Sequence, residues 1–320
     1  MTAPISRRNL LEASLLALPS AWFIGCRNDE QPRAVRPSEA APDVRPVTTV
    51  VDATPAMDGA GVRLERVIGS RGLPMLDPFL LLDEIRSDSA TDYIRGFPDH
   101  PHRGFETVTY MIDGVMEHRD SVGNHGRLVG GSAQWMTAGR GIVHSEMPKQ
   151  ERGLLWGFQL WVNLPRQDKM RPPRYQDIAP DRIPEVSAQG GRVRLVAGRH
   201  SGEEGPVHGI AVEPSLLELT LPARGRFHHE LPHGHTAFAF VIAGGARLGR
   251  NRREVRRGQL AVFGAGNVVS VEADAGCRLL LAAGRPLREP VARRGPFVMN
   301  TEAELRQAFE DYRSGRLVGG

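Results

Sequence analysis

At 320 residues the chain can bury the cores of two medium domains, and its 40% hydrophobic content excludes a disordered polypeptide. Its formal charge, 41 − 37 = +4, is thinly spread and no nucleic-acid motif accompanies it, so nucleic acid is not an expected partner. The two cysteines, Cys26 and Cys277, exclude a disulfide framework and a thiolate cluster, which leaves imidazoles and carboxylates for any transition-metal site.

The chain opens with paired arginines, Arg7 and Arg8, and then a mostly apolar run from Leu10 to Gly25. The run is shorter than a bilayer span and is interrupted by Glu12 and Pro19. Residues 1–26 resemble a twin-arginine export signal. Phe23-Ile24-Gly25-Cys26 resembles a lipobox, in which Cys26 would be lipidated and anchor the protein to a membrane. An ordinary signal with no role for Cys26 is the other reading. Residues 27–47 are rich in Pro, Ala and charge without an apolar period, and read as a flexible tether. The expected location is outside the cytoplasm, periplasmic or lipid-anchored at the cell envelope.

From Thr48 the pattern becomes short alternating runs: Val108, Tyr110 and Ile112, then Val193 and Leu195, then Leu217, Leu219 and Leu221. Period two predicts half-buried strands. Turn signals such as Asp113-Gly114, Gly130-Gly131 and Gly244-Gly245 separate them, which predicts an all-β chain of antiparallel barrels. Residues 97–141 and 231–266 repeat one order of strands and glycine turns, so two copies of one barrel are expected. The Pro-rich stretch from Arg171 to Pro184 divides them into 48–178 and 179–320. Arg250, Arg252, Arg253, Arg256 and Arg257 fall between Gly249 and Gly258 and read as a solvated basic hairpin. One short C-terminal helix is predicted over 301–315. Thr301 and Glu304 form a capping box, and Leu305, Ala308, Phe309 and Tyr312 share a face meant for a barrel.

The residues with chemistry come as two pairs. His100-Pro101-His102 puts two imidazoles on one face of a strand, about 6.6 Å apart along the chain. Pro101 cannot donate to a ladder, so this is an edge or a strand end. His144-Ser145-Glu146 repeats the spacing, and a barrel could bring the pairs together around one ion. Glu106, four residues after His102, is a rival carboxylate on the same face of a regular strand. His118 and His125 read as surface or turn residues. His233-Gly234-His235 imitates the first pair, but no histidine follows it, so no second metal site is expected.

Gly96-Phe97-Pro98-Asp99-His100-Pro101-His102-Arg103-Gly104-Phe105-Glu106-Thr107 resembles the first cupin motif as pirins write it. The segment from Gln134 to Pro148, Gln159-Leu160-Trp161-Val162-Asn163-Leu164, Asp77 to Glu84 and Gly295 to Thr301 are also similar to pirins. The resemblance runs from about residue 48 to 317. It implies a bicupin, two cupin-type β-barrels, with one metal ion in the N-terminal barrel only. The ligands it implies are His100, His102, His144 and Glu146, with Glu146 preferred to Glu106. The ion is expected to be Fe2+, with other transition metals open.

Several pirins cleave the flavonol quercetin with dioxygen, so a flavonol 2,3-dioxygenase using Glu146 as catalytic proton acceptor is expected. Phe105, Trp135 and Met136 read either as an apolar mouth or as ordinary core. The alternative is a non-enzymatic, redox-responsive pirin that binds a protein partner. Export argues against a transcriptional partner and leaves one in the envelope.

Overall fold

The computed structural model describes residues 43–318 apart from Glu151 and Gln189. The export signal, the lipobox and Cys26 lie outside the described residues.

Strands form where the alternation predicts them. Phe105–Asp113 lies between Ala133–Thr137 and Leu155–Asn163, both antiparallel to it. These are the middle of a seven-stranded sheet that continues through Phe79–Ser87 and Val62–Ile68 to Thr54–Asp58, with Arg174–Ile178 at its other edge. A four-stranded sheet, ordered Phe97–His102, Ile142–Pro148, Val115–Asp120, His125–Val129, makes the opposite wall of the first barrel. The second barrel is built around Thr236–Leu248. This long strand changes partners along its length, from Cys277–Gly284 and Gln259–Phe263 to Arg253–Arg256 and Val268–Glu272. The sheet therefore curls round a core of Leu195, Leu217, Leu219, Val241, Leu279 and Leu281.

The outer face of the seven-stranded sheet is also apolar. Val108, Tyr110, Trp135 and Phe158 pack there in one cluster with Phe238, Phe240, Leu260 and Leu280 of the second barrel. Phe79 and Phe238 meet edge to face at 5.0 Å. Burial on both faces explains the unbroken apolar run Phe79-Leu80-Leu81-Leu82.

The termini depart from the expected boundaries. The tether was expected to reach Val47, yet Arg45 is buried, donating to the carbonyls of His235 at 2.6 Å and Pro232 at 3.2 Å. Asn251 holds the N–H and carbonyl of Val47. The strand Val47–Asp52 pairs with Gln259–Phe263, so it completes the second sheet and not the first. Conversely, Ala292–Arg294, Phe297–Met299 and the helix Glu302–Arg313 pack on the first barrel, where Val298 joins Leu80 and Phe105, and Leu317 lies against Gly141. Each terminal segment covers a face or edge that would otherwise stand open. The capping box at Thr301 and Glu304 forms as predicted, and Leu305 and Ala308 are buried. Tyr312, expected on the same face, meets Phe297 edge to face at 6.2 Å while remaining 43% exposed.

Candidate metal centre

Among the described residues the strand Phe97–His102 is the edge of its sheet and pairs only with Ile142–Pro148, as Pro101 requires. In that register His144 faces His100 and Ile142 faces His102, with an irregularity between His144 and Glu146. Three imidazoles therefore converge. Ring centroids are 4.7 Å apart for His100 and His102, 4.5 Å for His100 and His144, and 5.0 Å for His102 and His144. One nitrogen from each ring lies within 4.8 Å of the others.

The protonation pattern suits a cation. His100 Nδ1 donates to the Pro98 carbonyl at 2.8 Å, which leaves Nε2 with its lone pair free. Burial, and then neighbouring histidines, push His102 and His144 well below their ordinary value, so both are neutral at neutral pH. Nδ1 of His102 and both ring nitrogens of His144 are buried with no hydrogen-bond partner among the described residues. A buried polar atom left unpaired costs about 1–3 kcal/mol. Orphans of this kind on two of three converging imidazoles fit a metal ion as the missing partner.

Glu146 stands beside the triad without joining that tight group. Its Oε2 is 4.0 Å from His144 Nε2. Thr109 Oγ1 donates to Oε1 and Gln159 Nε2 to Oε2, each at 2.9 Å, so the carboxylate is aimed from two strands of the facing sheet. Glu106 is placed elsewhere. Gly104 takes φ +89, ending one strand at His102 and starting the next at Phe105. The alternation restarts there, so Phe105 packs on His102 while Glu106 turns to the other face and accepts from Thr137 at 2.6 Å. Burial raises its pKa.

His100, His102 and Glu146 line a cavity of about 650 Å³, with Trp161, Phe97, Gln159, Arg293 and the pair Arg66–Asp83 among its other walls. Trp161 meets His102 at 5.3 Å and carries the Arg293 guanidinium 4.8 Å above its ring. Arg66 donates two hydrogen bonds to Asp83, at 2.8 and 2.6 Å. Of the apolar candidates for a mouth, Phe105 touches His102, whereas Trp135 and Met136 belong to buried clusters away from the cavity. Sequence reasoning missed Gln159 and Thr109. Both were visible as polar residues on apolar strands at period two.

His125 is exposed, as expected, but His118 is not a surface residue. It is 3% exposed, stacks on Tyr175 and lies 3.3 Å from Asp177. Gly126, across the ladder, has no side chain to fill the space His118 Nε2 occupies. In the second barrel, His229 is held by Ser215 at 2.9 Å and His200 at 3.1 Å. The basic hairpin is substantially neutralised: Arg250 meets Asp43, Arg252 meets Glu272, Arg256 meets Glu254 and Arg257 meets Glu84.

Comparison with known proteins agrees with this architecture. Residues 61–162 match the family model Pirin, and 216–318 match the Pirin C-terminal cupin domain. A pirin-like protein of Caulobacter vibrioides is 47% identical over 276 residues, covering 86% of this chain and 99% of its own. The chain belongs to the pirin family. Rat pirin is 41% identical over 276 residues, covering 84% of this chain and 92% of its own. Among solved structures, a quercetin 2,3-dioxygenase from Acinetobacter baumannii superposes with a TM-score of 0.80 at 31% identity, covering 86% of this chain and 99% of its own. The mostly-β chain is thus a pirin bicupin, with two cupin domains and a short C-terminal helix.

Proposed function

We propose that this pirin is a metal-dependent flavonol 2,3-dioxygenase whose ion is held by His100, His102 and His144, with Glu146 beside it as ligand and proton acceptor. The observation that carries the reading is a triad of converging imidazoles, with His100 and His102 lining a cavity of about 650 Å³ and His144 buried beside them with both ring nitrogens unpaired among the described residues. That size suits one small organic molecule. The likeness to the Acinetobacter quercetin 2,3-dioxygenase supports the substrate class.

The chain's own residues supply most of the chemistry. Phe97 and Trp161 offer flat apolar surface to a planar ring system. Glu146, oriented by Thr109 and Gln159, takes the proton of the flavonol 3-hydroxyl at a carboxylate oxygen. When bound, a divalent ion such as Fe2+ lowers the pKa of that hydroxyl and supports the reaction with dioxygen. Overall, one flavonol and one dioxygen give the ring-opened ester and one carbon monoxide. Both oxygen atoms enter the products, and no external reductant is needed.

The test is aerobic assay of Fe2+-loaded protein with quercetin, following loss of its visible absorbance. Turnover that requires the metal supports the reading. Stoichiometric metal without turnover overturns it in favour of a non-enzymatic, partner-binding pirin. We also propose export by the twin-arginine route, supported by Arg7, Arg8 and the apolar run after them. Residues 1–47 fused to a reporter should be exported, and replacing both arginines with lysine should stop it. Unchanged export would refute the route.

A further inference from the structure

The floor of the large cavity is patterned. Four strands of the seven-stranded sheet lie side by side there, and their registers set Thr109 beside Gln159, Gln159 beside Asp83 and Asp83 beside Arg66. Cross-strand partners share a face, so these side chains make one polar row across the sheet. The row begins at the centre, where Thr109 and Gln159 hold Glu146. It ends at Arg66, two strands and about 10 Å beyond Gln159, a distance comparable with the length of a three-ring aromatic. Apolar side chains flank the row on the same strands, Trp161 and Leu81 on one side and Ile85 on the other.

Stability alone does not account for the outer end. Asp83 is buried, and a buried ion pair stabilises weakly; apolar residues of the same volume often do better. Leu81 and Ile85 show that this floor accepts apolar side chains. What the pair adds is oriented polarity. Arg66 Nε and Nη2 donate to the two oxygens of Asp83, and Nη2 also donates to Asp58 at 2.7 Å. Nη1 makes no hydrogen bond among the described residues, and the side chain, which lines the cavity, is 22% exposed. Asp58 also lines the cavity, is half-exposed and keeps lone pairs free. Arg66 and Arg293 balance Asp58 and Asp83, so the outer end holds no net charge. A neutral group that both donates and accepts, a hydroxyl, suits such a set better than a carboxylate.

We infer that this row selects the substrate: a planar aromatic compound that carries, besides the oxygen at the metal, a hydroxyl on a ring remote from the reacting centre. Arg66 and Asp58 read that hydroxyl, and Asp83 fixes the plane of the guanidinium. The inference rests on the flavonol reading above and narrows it to flavonols hydroxylated away from the reacting ring. A site built to bond a hydroxyl rejects the analogue that lacks it, because its own polar groups are then left unpaired.

The test sets quercetin against 3-hydroxyflavone, which keeps the reacting ring and lacks every other hydroxyl. Calorimetric titration of the zinc-loaded wild type should give quercetin a Kd at least about ten-fold lower, and the Fe2+-loaded wild type should favour it in kcat/KM by a similar factor. Arg66→Met combined with Asp83→Val replaces the pair by apolar groups and leaves no buried charge unpaired. It should shrink both ratios about ten-fold, the loss for quercetin falling on KM, with metal content retained. Equal Kd values in the wild type overturn the inference without need of any variant. So does a ratio that the double variant leaves unchanged, and in either case turnover of quercetin keeps the dioxygenase reading standing. If the Fe2+-loaded wild type turns over neither compound, that reading falls, and the zinc titrations still decide the row: a preference that the double variant erases upholds it.

Discussion

His144 is the most demanding residue of the centre, because both of its ring nitrogens are buried and unpaired. His144→Ala should lose stoichiometric metal and turnover together, measured by elemental analysis and the quercetin assay. Retained metal would show that the ligands lie elsewhere. Glu146 should separate the two effects. Glu146→Gln keeps the volume and the contact with Thr109 but cannot take a proton, so metal should be held, more weakly, while turnover falls by about 10²–10⁴-fold. Glu106 gives the control and a pH signature. Its folded pKa is raised above the ordinary 4.5 by burial. Between the two values the folded state keeps a proton that the unfolded chain has released, so stability falls as pH rises through that window. Glu106→Gln removes the penalty and keeps a partner for Thr137. Its urea midpoint should exceed the wild type's at pH 7 and match it below about pH 4, with metal binding unchanged. Lost metal binding would revive Glu106 as a ligand.

At the scale of elements, the two histidine pairs were readable because a strand puts i and i+2 on one face, and the edge position followed from Pro101. The choice between Glu106 and Glu146 was not readable from spacing, because it depends on a backbone turn at Gly104 that resets the alternation. The resemblance to pirins named Glu146, which lies 4.0 Å from His144. His118 was misread for a related reason: its hairpin looks exposed, but Gly126 across the ladder opens space for an inward imidazole. Gly104 thus carries a specific prediction. It lies in the left-handed region, and a Cβ would run into the Val298 carbonyl. Gly104→Ala should cost about 1–3 kcal/mol from backbone strain alone. Because the turn sets His102 against Phe105, metal affinity should fall as well. Denaturant midpoints with metal titration would check both; a destabilised variant with unchanged affinity would separate the turn from the site.

The whole molecule is less divisible than its internal repeat suggests. Local alternation fixes strands, but it cannot say that Val47–Asp52 completes the second sheet or that residues 292–318 close the first barrel. Those pairings join residues some two hundred positions apart. Between the barrels, the Tyr110 hydroxyl donates to Glu218 at 2.6 Å, and Arg278 donates to the same carboxylate at 2.7 Å. Glu218 is buried, so either half alone would expose or orphan part of this set along with the Phe79–Phe238 contact. Breaking such a buried pair by removing one partner costs about 3–5 kcal/mol, a large share of a domain's stability of about 5–15 kcal/mol. The described body should therefore unfold in one calorimetric transition, with calorimetric and van't Hoff enthalpies equal. Residues 48–178 and 179–320 expressed separately should lack cooperative melts, since each fragment has lost a segment that its barrel needs to the other. Two resolved transitions, or a fragment that melts cooperatively and binds metal, would mean that the shared apolar face is a contact between independent folding units.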